Sequence, residues 1–429
     1  MAPRSTGFIQ TPLDPGYRPS ARAWFAFALG CLFFGYAFLQ RVAPSVMTEE
    51  LMRSFSVGGA ALGSLSAFYF YAYAGMQLPV GLMIDRFGPR RLMAGAMALC
   101  TLGSILFATS ESVAVASIGR ALIGGAVAFG YVGTMTIAAH WFPPGRFSLL
   151  VGLLQTVGMA GAVAGQAPLR LVVDVAGWRD TLIMVGGLAA ILALALFLVL
   201  RDRQDKRKKS GGMLAGIGTV LRRRDTWGNA IVGMVLSAPM LAFAGLWAVP
   251  WLVQVHGYSK PEAAAATSMV FIGWGVVAPF VGWLSDRVGW RMPLLYIGFA
   301  IAGTGLGGLV YLPNLTPGLI SILMPMIGIG GCVMVLNFAL ARETNRPQDA
   351  GAGLGFVNMC VVGAGAIFQP LLGYILDNSW DGRMIDGARL YSAEGYQTAF
   401  TALMIAYGVG FLACLFLVRE TRCRQLVED

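Results

Sequence analysis

Apolar runs of 18 or more residues recur along the whole chain, separated by short polar stretches, and none of the intervals between them is long enough for a separate soluble domain. At 1.5 Å per residue each run covers a hydrocarbon core of roughly 30 Å. The pattern predicts twelve membrane-spanning helices, near Trp24 to Met47, Ala60 to Ile84, Leu92 to Thr109, Val113 to Phe142, Leu149 to Val173, Asp180 to Leu200, Thr226 to Gln254, Ala263 to Leu284, Pro293 to Tyr311, Leu319 to Ala341, Gly351 to Leu376 and Gln397 to Val418. Polar residues inside the runs are few and patterned. In the second run Ser66, Tyr69, Tyr73 and Gln77, at offsets of three, seven and eleven, share one helical face. Such a stripe faces either a cavity or a neighbouring helix that it hydrogen-bonds.

Composition agrees: 57% of the 429 residues are apolar and 12% charged, against about a quarter charged in soluble domains. The net charge of +10 would suit a nucleic-acid binder, but its distribution alternates between loops. With the first tail inside, tails and inner loops hold 23 Lys or Arg and outer segments hold six, while Arg41 and Arg120 lie within spans. That asymmetry predicts both termini on the cytoplasmic side. The polar first 22 residues lack the apolar region and cleavage site of a signal peptide, so the first helix is expected to stay. Cys31, Cys100, Cys332, Cys360 and Cys414 fall inside spans and Cys423 on the inner tail, with neither disulfide nor metal-ligand spacing.

An internal repeat organises the chain. Gly81-Leu-Met-Ile-Asp85-Arg86-Phe-Gly88-Pro-Arg90 recurs as Gly282-Trp-Leu-Ser-Asp286-Arg287-Val-Gly289-Trp-Arg291, displaced by 201 residues. Gly152, Gln155 and Gln166 recur as Gly355, Asn358 and Gln369, displaced by 203. Both copies of the first motif face the basic side, so the halves are parallel and six spans fall in each. The expected organisation is a tail (1–22), an N-terminal six-helix bundle (23–200), a basic linker (201–225), a C-terminal six-helix bundle (226–418) and a second tail (419–429).

The signature Gly-x-x-x-Asp-Arg-x-Gly-x-Arg-Arg at Gly81 to Arg91, its copy after the eighth span, and Arg120-Ala-Leu-Ile-Gly124-Gly125 in the fourth resemble the major facilitator superfamily over essentially the whole chain. The resemblance implies an all-α polytopic protein, with two bundles rocking about a midplane site lined by the first, fourth, seventh and tenth helices. It also implies an inner latch, formed here by Asp85, Arg86 and Arg90 with Asp286, Arg287 and Arg291, unless these charges only mark tight turns. The arginine on the first helix is similar to one used by the organophosphate and anion–cation symporter branches, whereas Arg120 matches a motif spread widely in the superfamily.

An ionisable side chain inside a membrane is a functional hypothesis by default. Arg41 and Arg120 both fall about 10 Å below the outer boundary by helical rise, and a guanidinium fork suits carboxylate or phosphate. Two readings stand for each: an anion clamp, or snorkelling for Arg41 and bonding to backbone carbonyls for Arg120. Tyr36 and Gln40 accompany Arg41 on the first span, and Tyr69, Tyr73 and Gln77 stand on the second. Gln155 with Gln166, and Asn358 with Gln369, are spaced by eleven residues, close to three turns, which predicts two amides on one face in each half. The C-terminal half offers no matching arginine but Trp247, Trp251 and Asn337, the tryptophans serving either the solute or as interface anchors.

Coupling is less legible. No carboxylate lies deep in a helix: Asp85, Asp286 and Glu343 fall at inner ends, Asp174 and Asp180 at outer ends, and the Val127 position, where the family's anion symporters place a glutamate, is apolar. His140 and His256 lie at helix ends. Gly161-x-x-x-Gly165 lacks the Gly-Pro pair of the family's antiporters, which weakens drug efflux.

The function expected is secondary transport of a small organic anion, such as a carboxylate or phosphate ester. Uptake of amino acids, nucleosides or siderophore-like molecules, multidrug efflux and a non-transporting sensor are the alternatives. No catalytic constellation is available, so an enzyme is not expected. The expected partners are the solute, a co-transported proton or an exchanged anion, and the lipid bilayer of a bacterial cytoplasmic membrane. No cofactor, metal or nucleic acid is expected, and the chain is read as a monomer.

Overall fold

A computed structural model describes residues 19–143, 146–201, 218–346 and 349–425. Its crossing helices are α1 (Ala21–Val42), α2 (Gly59–Phe87), α3 (Pro89–Thr109), α4 (Val113–Trp141), α5 (Phe147–Ala164, resuming over 167–176), α6 (178–199), α7 (Arg224–His256), α8 (Lys260–Val288), α9 (Met292–Tyr311), α10 (Pro317–Glu343), α11 (Ala350–Asn378) and α12 (Ala393–Leu417). Serine and threonine side chains open several of them: Ser20 accepts from Ala23 N, Ser112 from Val115 N, Thr316 from Leu319 N and Ser392 from Gly395 N, each covering an orphan donor of a first turn.

Among the described residues, ten stretches are long and apolar enough to span a membrane. One of them, Leu149–Val199, is 51 residues long and holds two crossings folded back at Gly177, whose φ of 79° lies in the region that favours glycine. α2 falls outside the ten because its serines, tyrosines and Gln77 dilute its mean hydropathy. Among the described residues twelve helices therefore cross, six in each half. Most of the tail 1–22 and of the linker 201–225 lies outside the described residues.

Two elements have no counterpart in the expected pattern: a short helix, Thr48–Phe55, and a hairpin of β1 (Met384–Ile385) with β2 (Ala388–Arg389). Both lie on the face opposite the termini, here the far face. The halves meet along a seam between α2 and α11. A side-chain carbon at Gly63 would stand 2.5 Å from the Gln369 carbonyl oxygen, so glycine is what lets the two helices approach.

Polar bonds then close the far face between the bundles. Asp377, at the end of α11, accepts from the Gly59 and Ala60 amides (both 2.9 Å) and from the Tyr391 hydroxyl (2.6 Å), and pairs with Arg389 at 3.0 Å. A carboxylate from one bundle thus caps the first turn of a helix in the other. On the opposite edge Lys260 of α8 pairs with Glu49 (2.8 Å) and Glu50 (3.0 Å) of the short helix, and Arg170 of α5 pairs with Glu50 (2.9 Å) and Asp174. Burial raises the Glu50 carboxyl, but Arg170 and Lys260 more than offset this and leave it below the ordinary carboxylate value.

The sign follows. A depressed carboxyl contributes fully above its ordinary value of about 4.3, and the contribution is lost as pH falls through the lowered one. Removing the cation does the same at neutral pH: Lys260→Met is expected to raise the far-open population roughly fivefold, about 1 kcal/mol. The readout is thiol labelling of Ser45→Cys, a position fully buried behind the seal, in a background without the native cysteines. An unchanged labelling rate would remove Lys260 from the seal.

Candidate functional site

Arg41 lies in the last turn of α1, beside a 3-10 turn at Ala43–Val46 that carries Pro44. It does not snorkel. Its side chain is enclosed by aromatic rings, with Cζ 4.3 Å from the Phe38 centroid, 5.2 Å from Tyr73 and 5.8 Å from Tyr69. Arg120 of α4 approaches the same Tyr69 ring at 4.9 Å, and its Nη1 donates to the Gln40 carbonyl at 2.8 Å, one residue before Arg41. Both arginines are buried, 6% and 0% exposed. Three buried guanidinium nitrogens have no hydrogen-bond partner among the described residues: Arg41 Nε, Arg120 Nε and Arg120 Nη2. Among the described residues no carboxylate pairs with either guanidinium.

The backbone explains how two cations reach one ring. A side-chain carbon at Gly124 would collide with the Tyr69 carbonyl oxygen, so the glycine one turn after Arg120 lets α4 lie against α2. Tyr69 is fixed by its hydroxyl, which donates to the Ala37 carbonyl at 2.9 Å, and by stacking on Tyr73 at 6.2 Å and 16°. Cation–π contact returns about 0.5–2 kcal/mol per ring. That offsets only part of what a buried, unneutralised charge costs.

The other candidates divide by what their side chains bond. Gln40 turns away from Arg41 and donates to the Tyr36 hydroxyl (2.7 Å) and the Ser104 hydroxyl (2.9 Å), which ties α1 to α3. Gln77 accepts from Asn358 at 2.6 Å across the α2–α11 seam. Ser66 is buried with an unpartnered hydroxyl. Asn337 and Asn229 form a reciprocal buried amide pair between α10 and α7, at 2.6 to 3.0 Å.

Gln155 and Gln166 do not share an unbroken helix. The chain breaks at Gly165 and Gln166, where Gln166 has φ −103° and ψ −113°, so the eleven-residue spacing sets no common face there. Gln155 is half-buried on α5. Gln166 and its repeat partner Gln369 converge instead on α7, which is wound as a π-helix over Pro239–Trp247. The Gln369 amide donates to the Leu241 carbonyl (2.7 Å) and the Gln166 amide to the Ala244 carbonyl (3.3 Å). Trp247 donates back to the Gln369 carbonyl at 3.1 Å. Trp247 and Trp251, 0% and 4% exposed, are not interface anchors. Trp251 packs on Phe243, Phe400 and His256.

The residues of the expected latch lie on the face that carries the termini. Arg291 pairs with Asp286 (2.8 Å) and Glu343 (2.6 Å), and Glu343 also accepts from Thr421 at 2.5 Å, a network internal to the C-terminal half. Arg90 donates to the Phe197 carbonyl at 2.8 Å and covers the Phe197 ring. Arg86 lies over Phe87 and Arg287 over Trp283. The Asp85 side chain is outside the described residues. A cavity of about 330 Å³ on the bundle flank, lined by Met76, Met83, Leu92 and Phe129 with Arg91 at its edge, contains neither site arginine.

Sequence reasoning passed over Phe38 and Ser104. Phe38 precedes Arg41 by three residues, so the helical neighbour rule would have placed it on the arginine's face. The far-face charges Glu49, Glu50, Lys260 and Asp377 were likewise missed as a seal.

The family model of the Major Facilitator Superfamily matches residues 25–370 and 248–426. The chain belongs to the major facilitator superfamily. Superfamily relatives include a probable sulfoacetate transporter of Cupriavidus necator, 22% identical over 90% of this chain and 92% of its own length. A probable nitrate/nitrite antiporter of Thermus thermophilus is 23% identical over 82% and 85%. Among solved structures, an inward-facing, unoccupied bacterial homolog of the human lysosomal transporter Spinster superposes with a TM-score of 0.72 at 17% identity, covering 93% of this chain and 98% of that one. The nucleoside transporter NupG gives 0.73 at 14% identity, covering 92% and 100%. The superfamily fold is therefore that of this chain, an integral membrane transporter of small solutes and not an enzyme.

The ring shared by the arginines generates a test. Tyr69→Phe keeps the ring and loses only the bond to Ala37, so it should cost about 1 kcal/mol, read as a small fall in melting temperature. Tyr69→Ala should cost about 3–5 kcal/mol. Equal melting temperatures for the two variants would show that the ring does not brace the pair.

Proposed function

We propose that this superfamily member is a secondary transporter of a small organic anion, a carboxylate or phosphate ester or a close analogue, bound at Arg41 and Arg120. The single observation that carries the reading is the pair of buried guanidinium groups with three unpartnered nitrogens and, among the described residues, no paired carboxylate. A site built in this way lacks a counter-charge that only a ligand supplies. The names of two relatives, a probable sulfoacetate transporter and a probable nitrate/nitrite antiporter, point to anions as well. Tyr69 and Tyr73 back the site, and the Gln77–Asn358 and Gln166–Ala244 contacts belong to the moving seam around it.

With the basic segments on the cytoplasmic side of a bacterial membrane, the far face is periplasmic and sealed, so the solute exchanges with the cytoplasm in this conformation. Asp286 and Arg291 would then exchange their present partners for the N-terminal half when the far face opens, with Asp85, Arg86, Arg90 and Arg287 completing the latch.

Uptake into proteoliposomes is the test, with labelled sulfoacetate, nitrate and uridine. Loss of one charge-assisted contact is worth about 1.5–3 kcal/mol, so Arg41→Gln and Arg120→Gln should each lower anion uptake at least tenfold. Uridine entering while no anion does would favour the nucleoside alternative. Binding of an anion without flux would favour a sensor.

A further inference from the structure

We infer that the site is matched to a dianion and selects against monoanions of the same size, an inference that rests on the reading of Arg41 and Arg120 as the anion site. Guanidinium groups do not discharge in proteins, so the site carries two permanent charges. Neither is neutralised by a carboxylate among the described residues: Arg41 is met by the rings of Phe38, Tyr69 and Tyr73, and Arg120 by Tyr69 and the Gln40 carbonyl. Rings and a carbonyl are dipolar or quadrupolar partners. They soften the two charges without cancelling either.

We take both charges to act on one ligand: Arg120 Nη1 bonds the carbonyl of Gln40, the residue before Arg41, and each guanidinium lies within 6 Å of the Tyr69 ring. A monoanion would leave one uncompensated positive charge in a buried, water-poor site. A ligand with two negative charges leaves none. The unpartnered positions fall on both arginines, Nε on one and Nε with Nη2 on the other, so a molecule with an anionic group at each end, or a doubly charged oxyanion, meets donors from both.

The test uses the full-length protein in detergent at constant ionic strength, with ligand-induced thermal stabilisation and equilibrium binding as readouts. Sulfoacetate and malonate are the dianionic probes at a pH where both are fully ionised, and carbamoylmethanesulfonate and malonamate are the monoanions of matching size. The parent should bind the dianions at least tenfold more tightly than the matched monoanions. In Arg41→Gln and Arg120→Gln the ratio should collapse to near one, because a single negative charge now balances the site. Arg41→Lys and Arg120→Lys keep the charge count, so they should bind more weakly overall yet retain the preference. A parent ratio below threefold, or a preference lost equally in the Lys and Gln variants, overturns the dianion match while leaving an anion site standing. If no anion of either charge stabilises the parent, the anion reading itself falls, and the dianion match with it.

Discussion

Two guanidinium charges held at depth in an apolar bundle without an acid beside them are the constraint on which the N-terminal half is built. Gly124 gives up a side chain so that α4 can lie on α2, and the Tyr69 hydroxyl bonds Ala37 and so holds its ring within 6 Å of both arginines. Gln40 turns its amide to Tyr36 and Ser104 while its carbonyl takes Arg120. A charge in this setting costs several kcal/mol, and aromatic faces return only a fraction of it. The proposed anion makes up the difference, so occupancy and stability of the site are linked in this account.

The two halves of the repeat divide the remaining work unequally. The C-terminal half places Asp377 on the first turn of α2 and Lys260 on the acids of the short helix. Gln166 and Gln369, equivalent in the repeat, both donate to the same π-helical stretch of α7. π-helical turns strand carbonyls that a regular helix would satisfy, and here an amide from each bundle takes one of them. One amide bond lies within a bundle and the other crosses between them, so only the second must break when the far face opens.

Most of the fold was legible in the sequence because bilayer thickness imposes a length on every crossing and the repeat supplies a second copy of each clue. Arg41 and Arg120 stood out because charge is so rare in the spans. What was not legible depends on backbone breaks that leave no periodic signal. The eleven-residue spacing of Gln155 and Gln166 suggested a shared face, yet the turn at Gly165 and Gln166 cancels it. Trp247 and Trp251 looked equally suited to a membrane interface until α7 buried them. Glu49, Glu50, Lys260 and Asp377 sit in loops or at helix ends, where charge ordinarily means only solvation, and their partners are 210 or more residues away in the chain or across a seam.

Charge movement on binding is the most direct measure of the central claim. Proteoliposomes on a solid-supported membrane electrode, challenged with sulfoacetate, should give a charge displacement that saturates with concentration and is absent from the Arg41→Gln, Arg120→Gln double variant. The account is contradicted if the double variant gives the same displacement as the parent, or if uridine is transported by a parent in which no anion moves charge.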